Sequence, residues 1–169
     1  MATLEELASN DEIKAEYRKT FLLNMFQKIC ARMNKDEKYR ERVKTVFRQT
    51  KDRSQTTAAL IKNSLGYDLS SEDAALLSKW FSANLKKQSS RKPIPLSVKM
   101  ALYKKQGGKC MACGEDLGED WSKIHVDHII PWKLVGDELE DNYQDLCDTC
   151  NECKSAHTDY IFKSMINLN

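Results

Sequence analysis

From Asp11 to Met33 apolar side chains return every fourth residue, as Ile13, Tyr17, Phe21, Met25, Ile29 and Met33, with Leu22 and Phe26 widening the stripe. That recurrence predicts a long amphipathic helix that buries the whole series. Tyr39, Val43, Val46 and Phe47 form a second helical face, and Ala58, Ile61 and Leu65 a short third one. Gly66 follows where a left-handed helix stop is expected. Ser70 and Ser71, followed by Glu72 and Asp73, have the composition of a helix start leading into Leu77, Trp80, Phe81 and Leu85. Residues 11–88 are therefore expected to pack as three to five helices around one core, with no internal repeat.

The pattern breaks at Lys86–Pro95, a polar, basic stretch with two prolines. Such composition predicts a linker. The expected division is a helical domain over 1–88, a linker over 89–95 and a second domain over 96–169. The last opens with a helix from Leu96 to Gln106, ending at Gly107-Gly108. Beyond it, short strand-like pieces alternate with turn residues. The fold class is α+β and mainly helical.

Charge sharpens the division. Residues 1–95 hold 19 Lys and Arg against 12 Asp and Glu, whereas residues 96–169 hold 8 against 13. A basic half joined to an acidic half suits a polyanionic partner, although two oppositely charged solvated faces would look the same. The hydrophobic fraction of 41% is that of a globular chain. No apolar run approaches the ~20 residues needed to span a bilayer. The opening residues lack the order of a secretion signal, so a reducing cytoplasm is expected.

In that compartment six cysteines point to metal before disulfides. Cys110-x-x-Cys113 and Cys147-x-x-Cys150 are two pairs that can each form a tight knuckle. Together they complete a closed four-sulfur site for a structural zinc. A domain this small needs such a staple, because apolar burial alone gains too little. A dithiol redox motif and chance spacing are the competing interpretations, and two pairs in one short domain weigh against chance. Cys153 offers a second pairing with Cys150, so the downstream knuckle could be 150/153; 147/150 is preferred. Cys30 lies on a helical apolar face and is expected in the core.

Between the knuckles stand His125-Val-Asp-His-Ile-Ile-Pro131 and Asp141-Asn-Tyr-Gln-Asp-Leu146, and Cys150-Asn-Glu-Cys-Lys154 follows. These three separated elements, over about residues 95–160, resemble the HNH nucleases, also called ββα-metal or His-Me finger nucleases. The resemblance implies a ββα-metal domain that hydrolyses phosphodiester bonds. His128 would be the general base, and Asp127 and Asn151 would hold a catalytic Mg²⁺ or Mn²⁺. Asn142 would orient the loop and the His128 ring, and Lys154 would steady the phosphate. Asparagine at 151 stands where family members carry histidine or asparagine. A single Gly136 stands where many carry a glycine pair, which leaves the 132–140 loop geometry open.

The chemistry is consistent on its own terms. A neutral imidazole can take a proton from water at cellular pH. A carboxylate with an amide oxygen forms a hard donor set suited to Mg²⁺ or Mn²⁺. Adjacent strand residues point to opposite faces, so Asp127 and His128 can converge only if the strand ends or bends there. His125 would share a strand face with Asp127, in a supporting or merely structural role. His157 would reach a phosphate if the last helix continues to it. Trp121 and Trp132 are expected to pack around the zinc core.

Lys38, Arg40, Arg42, Lys44, Arg48, Lys51 and Arg53 form the densest basic stretch, for phosphate contact or as an ordinary solvated face. The turn at Gly66 could be read as a helix-turn-helix, a signal that any glycine-joined helical hairpin would give. The expected partner is double-stranded DNA, with a homodimer or a protein partner through the helical half. Restriction or anti-phage defence is the favoured setting over phage packaging or homing. The alternatives are a non-catalytic zinc module that binds nucleic acid or protein, and an RNA-cutting enzyme.

Overall fold

The computed structural model describes residues 10–154. It is mostly helical, with one small antiparallel sheet, and divides between Lys86 and Lys87 into two compact units. Among the described residues, no helix is long and apolar enough to cross a membrane.

The first unit is built from α1 (Asp11–Lys35), α2 (Glu37–Gln49), α3 (Arg53–Leu65) and α4 (Ser71–Lys86). Local chemistry sets the boundaries. The Asp36 carboxylate accepts from the Tyr39 amide at 2.9 Å, and Asp52 accepts from the amides of Ser54 and Gln55 at 3.0 and 3.1 Å. Each satisfies donors that a helix start leaves open. Gly66, at φ 74°, ends α3 in the left-handed region and donates its amide to Lys62. Ser70 Oγ accepts from the Asp73 amide at 3.1 Å and opens α4.

The core is Leu22, Phe26, Ile29 and Met33 of α1 against Val43 and Phe47 of α2, Ile61 of α3 and Leu77 and Phe81 of α4. Phe26 and Phe81 meet edge to face at 4.9 Å. The expected α1 stripe holds only in part, because Tyr17 is 57% and Phe21 43% exposed. A four-residue repeat gains about 40° per step on a helix of 3.6 residues per turn. Its early members therefore rotate off the buried face. Phe21 instead meets the Tyr67 ring at 4.8 Å. Val46 is exposed as well, and Cys30 is buried as expected.

The basic stretch carries mixed ties. Arg42 and Arg32 both lie over the Tyr39 ring, Lys44 pairs with Glu41, and Arg53 donates to Ser82.

The second unit contains α5 (Leu96–Lys105), β1 (Ile124–His128), α6 (Trp132–Val135), β2 (Tyr143–Cys147) and α7 (Asp148–Lys154). β1 and β2 pair antiparallel, with Ile124 opposite Cys147 and His128 opposite Tyr143. α7 follows β2 directly and packs on both strands. The small core is Leu117, Ile124 and Leu146 with Cys110 and Cys150. Gln106 ties the first cysteine knuckle to the sheet. Its side chain accepts from the Asp145 amide at 2.9 Å and donates to the Asp145 carbonyl at 3.1 Å.

Candidate active site and metal centre

The two C-x-x-C pairs converge. One sulfur from each of Cys110, Cys113, Cys147 and Cys150 lies within 4.8 Å of the others. A tetrahedron with Zn–S bonds of ~2.3 Å has edges of roughly 3.8 Å, and Cys113 Sγ stands 3.9 Å from Cys147 Sγ. The set can hold one metal ion. Cys153 is exposed and outside it, which selects the 147/150 knuckle. Burial pushes the Cys110 thiol up, but the amides of Cys113, Cys147 and Ala112 outweigh it and hold the thiol below its usual value. Burial raises Cys113.

Four of the five residues expected around the catalytic centre, Asp127, His128, Asn142 and Lys154, gather at the end of β1. Asp127 Oδ2 is ion-paired with Lys154 Nζ and accepts from Gln144 Nε2 at 3.3 Å. Lys154 Nζ also donates to the His128 carbonyl at 2.6 Å. The lysine is only 3% exposed. Its ammonium is held between the Asp127 carboxylate and the carbonyl at the strand end. Asn142 is buried and fixes the turn after the strand. Its Oδ1 accepts from the Ile130 amide at 2.8 Å, and its Nδ2 donates to the Ile130 carbonyl at 2.9 Å. The preceding Asp141 takes a left-handed φ of 55° to set that side chain. Asn151 is half-buried on α7, three residues before Lys154 and so on the same helix face.

His128 is 2% exposed, and β1 ends at it, followed by a bend at Ile129-Ile130. Its ring meets Tyr143 at 4.8 Å. Nε2 lies 3.2 Å from Asp137 Oδ1, and Nδ1 lies 3.2 Å from Arg91 Nη2. Burial lowers the His128 pKa, Asp137 opposes that shift, and Arg91 adds to it. The ring is thus favoured in its neutral form.

Asp137 and Arg91 are the two groups that sequence reasoning missed. Asp137 lies in the 132–140 loop, between Gly136 and Asn142, with no motif of its own. There Gly136 has φ 63°, and a Cβ added to it would stand 2.8 Å from Lys87 Cβ. Burial raises the Asp137 pKa, but the Lys92 amide, the Trp132 indole and His128 together hold it below the usual carboxylate range. Arg91 sits in the segment read as a linker. That segment lies on the second unit, where the Lys92 amide donates to Asp137 Oδ2 at 3.0 Å. Trp132, expected as packing, donates its indole N–H to the same oxygen at 3.1 Å.

Residues 110–167 match the HNH endonuclease family. The match covers 58 of the 169 residues and begins within the second unit. No curated protein and no solved structure matches the chain. Within the matched residues, His125 pairs with Asp148 at the surface. Trp121 meets the Tyr103 ring at 5.0 Å and a tilt of 54°. His157 lies outside the described residues.

Proposed function

We propose that this protein is a metal-dependent endonuclease that hydrolyses phosphodiester bonds in double-stranded DNA, with His128 as general base and Asp127 and Asn151 as ligands of a divalent ion. The observation that carries the proposal is the buried, neutral His128 at the end of β1 beside a fixed carboxylate, in a domain matching the HNH endonucleases.

His128 takes a proton from a water molecule while the water oxygen bonds to phosphorus. The bond from phosphorus to the leaving sugar oxygen breaks, and that oxygen takes up a proton from solvent. Asn142 holds the turn that fixes the His128 backbone, and Lys154 holds Asp127 against the strand end. The donor set fits a hard cation, since a carboxylate and an amide oxygen are what Mg²⁺ and Mn²⁺ prefer. When bound at Asp127 and Asn151, the ion supplies positive charge for the phosphoryl oxygens and the leaving alkoxide. The Lys154 ammonium already occupies Asp127 Oδ2, so a bound ion would share the carboxylate with it. The four cysteines would hold a zinc ion in a site closed to substrate, where it would stabilise the fold.

The helical unit with its basic stretch would deliver the site to DNA, as restriction or anti-phage defence requires. A protein partner or a second copy of the chain would bind through the same unit.

The test is supercoiled plasmid with Mg²⁺ or Mn²⁺, run with wild type, His128→Ala and an EDTA control. Nicked or linear product from wild type alone supports the proposal. Equal product from His128→Ala removes the assigned base. Cleavage of an RNA duplex but not the matched DNA duplex would make the enzyme a ribonuclease. No cleavage of either, with DNA retained on the protein, would favour a binding module.

A further inference from the structure

The catalytic proposal uses His128 but leaves two charged neighbours, Asp137 and Arg91, without a part. A guanidinium has N–H donors and no acceptor. Arg91 Nη2, 3.2 Å from His128 Nδ1, therefore requires that nitrogen to present its lone pair. The neutral ring then carries its proton on Nε2, which points at Asp137 Oδ1 at 3.2 Å.

The Asp137 carboxylate is itself fixed. Oδ2 accepts from the Lys92 amide at 3.0 Å and from Trp132 Nε1 at 3.1 Å, and Oδ1 also accepts from the Tyr143 hydroxyl at 3.4 Å. Its side chain is only 6% exposed. Three donors besides the histidine thus surround one acceptor-only group, which cannot turn away. Arg91, by contrast, is exposed and arrives from an extended segment.

We infer that Asp137 is a positioning residue that locks His128 in the Nε2–H tautomer, so that Nδ1, the nitrogen facing Arg91, is the one that receives the proton from water. The inference rests on the nuclease proposal for its catalytic consequence, although the tautomer can be read without any cleavage. Arg91 covers Nδ1 in the absence of substrate. A phosphodiester, being an anion, draws the guanidinium to itself and leaves Nδ1 to water.

Asparagine at 137 tests this through the fixed donors. Its single oxygen must serve the Lys92 amide and the Trp132 indole, which turns its NH₂ toward His128 Nε2. An NH₂ donates, so Nε2 must become the acceptor and the ring proton moves to Nδ1, beside the Arg91 donors. The wrong tautomer behind an otherwise intact catalytic histidine forfeits most of the base's contribution.

The experiment is the proton–nitrogen correlation spectrum of the imidazole rings in the full-length, zinc-loaded protein, with the His128 signals assigned by their loss in His128→Ala. Plasmid-cleavage kinetics run alongside. Wild type is expected to show Nε2–H. Asp137→Asn should show Nδ1–H, with kcat down about 10²–10⁴-fold and KM nearly unchanged. A merely structural role would leave the tautomer in place. Nδ1–H in wild type overturns the inference, whether or not the variant folds. So does Nε2–H retained in Asp137→Asn, or a reversed tautomer with wild-type kcat. If wild type shows Nε2–H, Asp137→Asn reverses it and no phosphodiester is cut by either, the nuclease proposal fails while the positioning geometry stands.

Discussion

Asn142 makes the sharpest single demand on the structure. Its amide forms a two-bond clamp on the Ile130 backbone, accepting from the amide at 2.8 Å and donating to the carbonyl at 2.9 Å. Both residues are nearly solvent-free, with Asn142 at 3% and Ile130 at 6% exposed. Asn142→Ala removes both partners and leaves a buried N–H and a buried C=O unpaired. Each such group costs ~1–3 kcal/mol, so the second unit should lose about 4 kcal/mol.

Asn142→Asp separates the two bonds. One carboxylate oxygen still accepts from the Ile130 amide, but the other faces the Ile130 carbonyl, acceptor against acceptor. The ionised side chain is therefore destabilising, and a proton on it restores the second bond. The folded-state pKa of the new carboxyl is then raised above its unfolded value. Stability relative to wild type should fall as pH rises through that range, and the deficit should shrink toward pH 4. The assay is urea unfolding followed by the fluorescence of Trp121 and Trp132, with amide exchange at Ile130 as the local probe. An Asn142→Ala variant within about 0.5 kcal/mol of wild type, or an Asn142→Asp variant whose deficit ignores pH, would refute the clamp.

Cys147→Ser, or chelation of the native protein, should unfold the second unit and spare the first, because metal binding and folding are coupled in a core this small. Persistent helical circular dichroism from α1 to α4 beside lost Trp121 and Trp132 signals would show it; near-normal stability of a metal-free second unit would count against it. Asp145 offers a prediction in pH. Burial, only partly offset by Lys99, raises its carboxyl to about 6 from an ordinary 3.8, and neither oxygen has a hydrogen-bond partner among the described residues. Because the folded state holds the proton longer, stability should fall as pH rises from about 4 to about 6 and stay low above, by roughly 3 kcal/mol at 1.36 kcal/mol per unit. Asp145→Asn should recover that amount at pH 7.5 and gain nothing at pH 4 in matched urea titrations; an equal effect at both values would remove the assignment.

Legibility in the sequence followed the range of the interaction. Two cysteines in a C-x-x-C pair meet through a local turn, so the four sulfurs could be placed before any fold was known. Asp127, His128 and Asn142 were legible because they lie in short runs that resemble a family. The helix faces were legible where the spacing followed 3.6 residues, as at Val43 and Phe47, and misread where it was a strict four, as at Tyr17 and Phe21. Asp137 and Arg91 had no local signature. Their meaning comes from meeting one ring across 9 and 37 residues of chain. The pairing of Lys154 with Asp127 was not legible, since nothing in Cys150-Asn-Glu-Cys-Lys154 says that the ammonium turns inward.

The cysteine cluster has an inner and an outer edge. Cys110 and Cys150 are buried, whereas Cys113 is exposed and Cys147 partly so. Oxidants and competing chelators therefore meet the second pair first. The outer sulfurs belong to different knuckles and already stand 3.9 Å apart. An oxidant that strips the ion would find residues 113 and 147 within reach of each other from separate knuckles. A covalent bond between them would suture the two knuckles, so that damage to the centre would still hold together the ends of the chain that encloses β1.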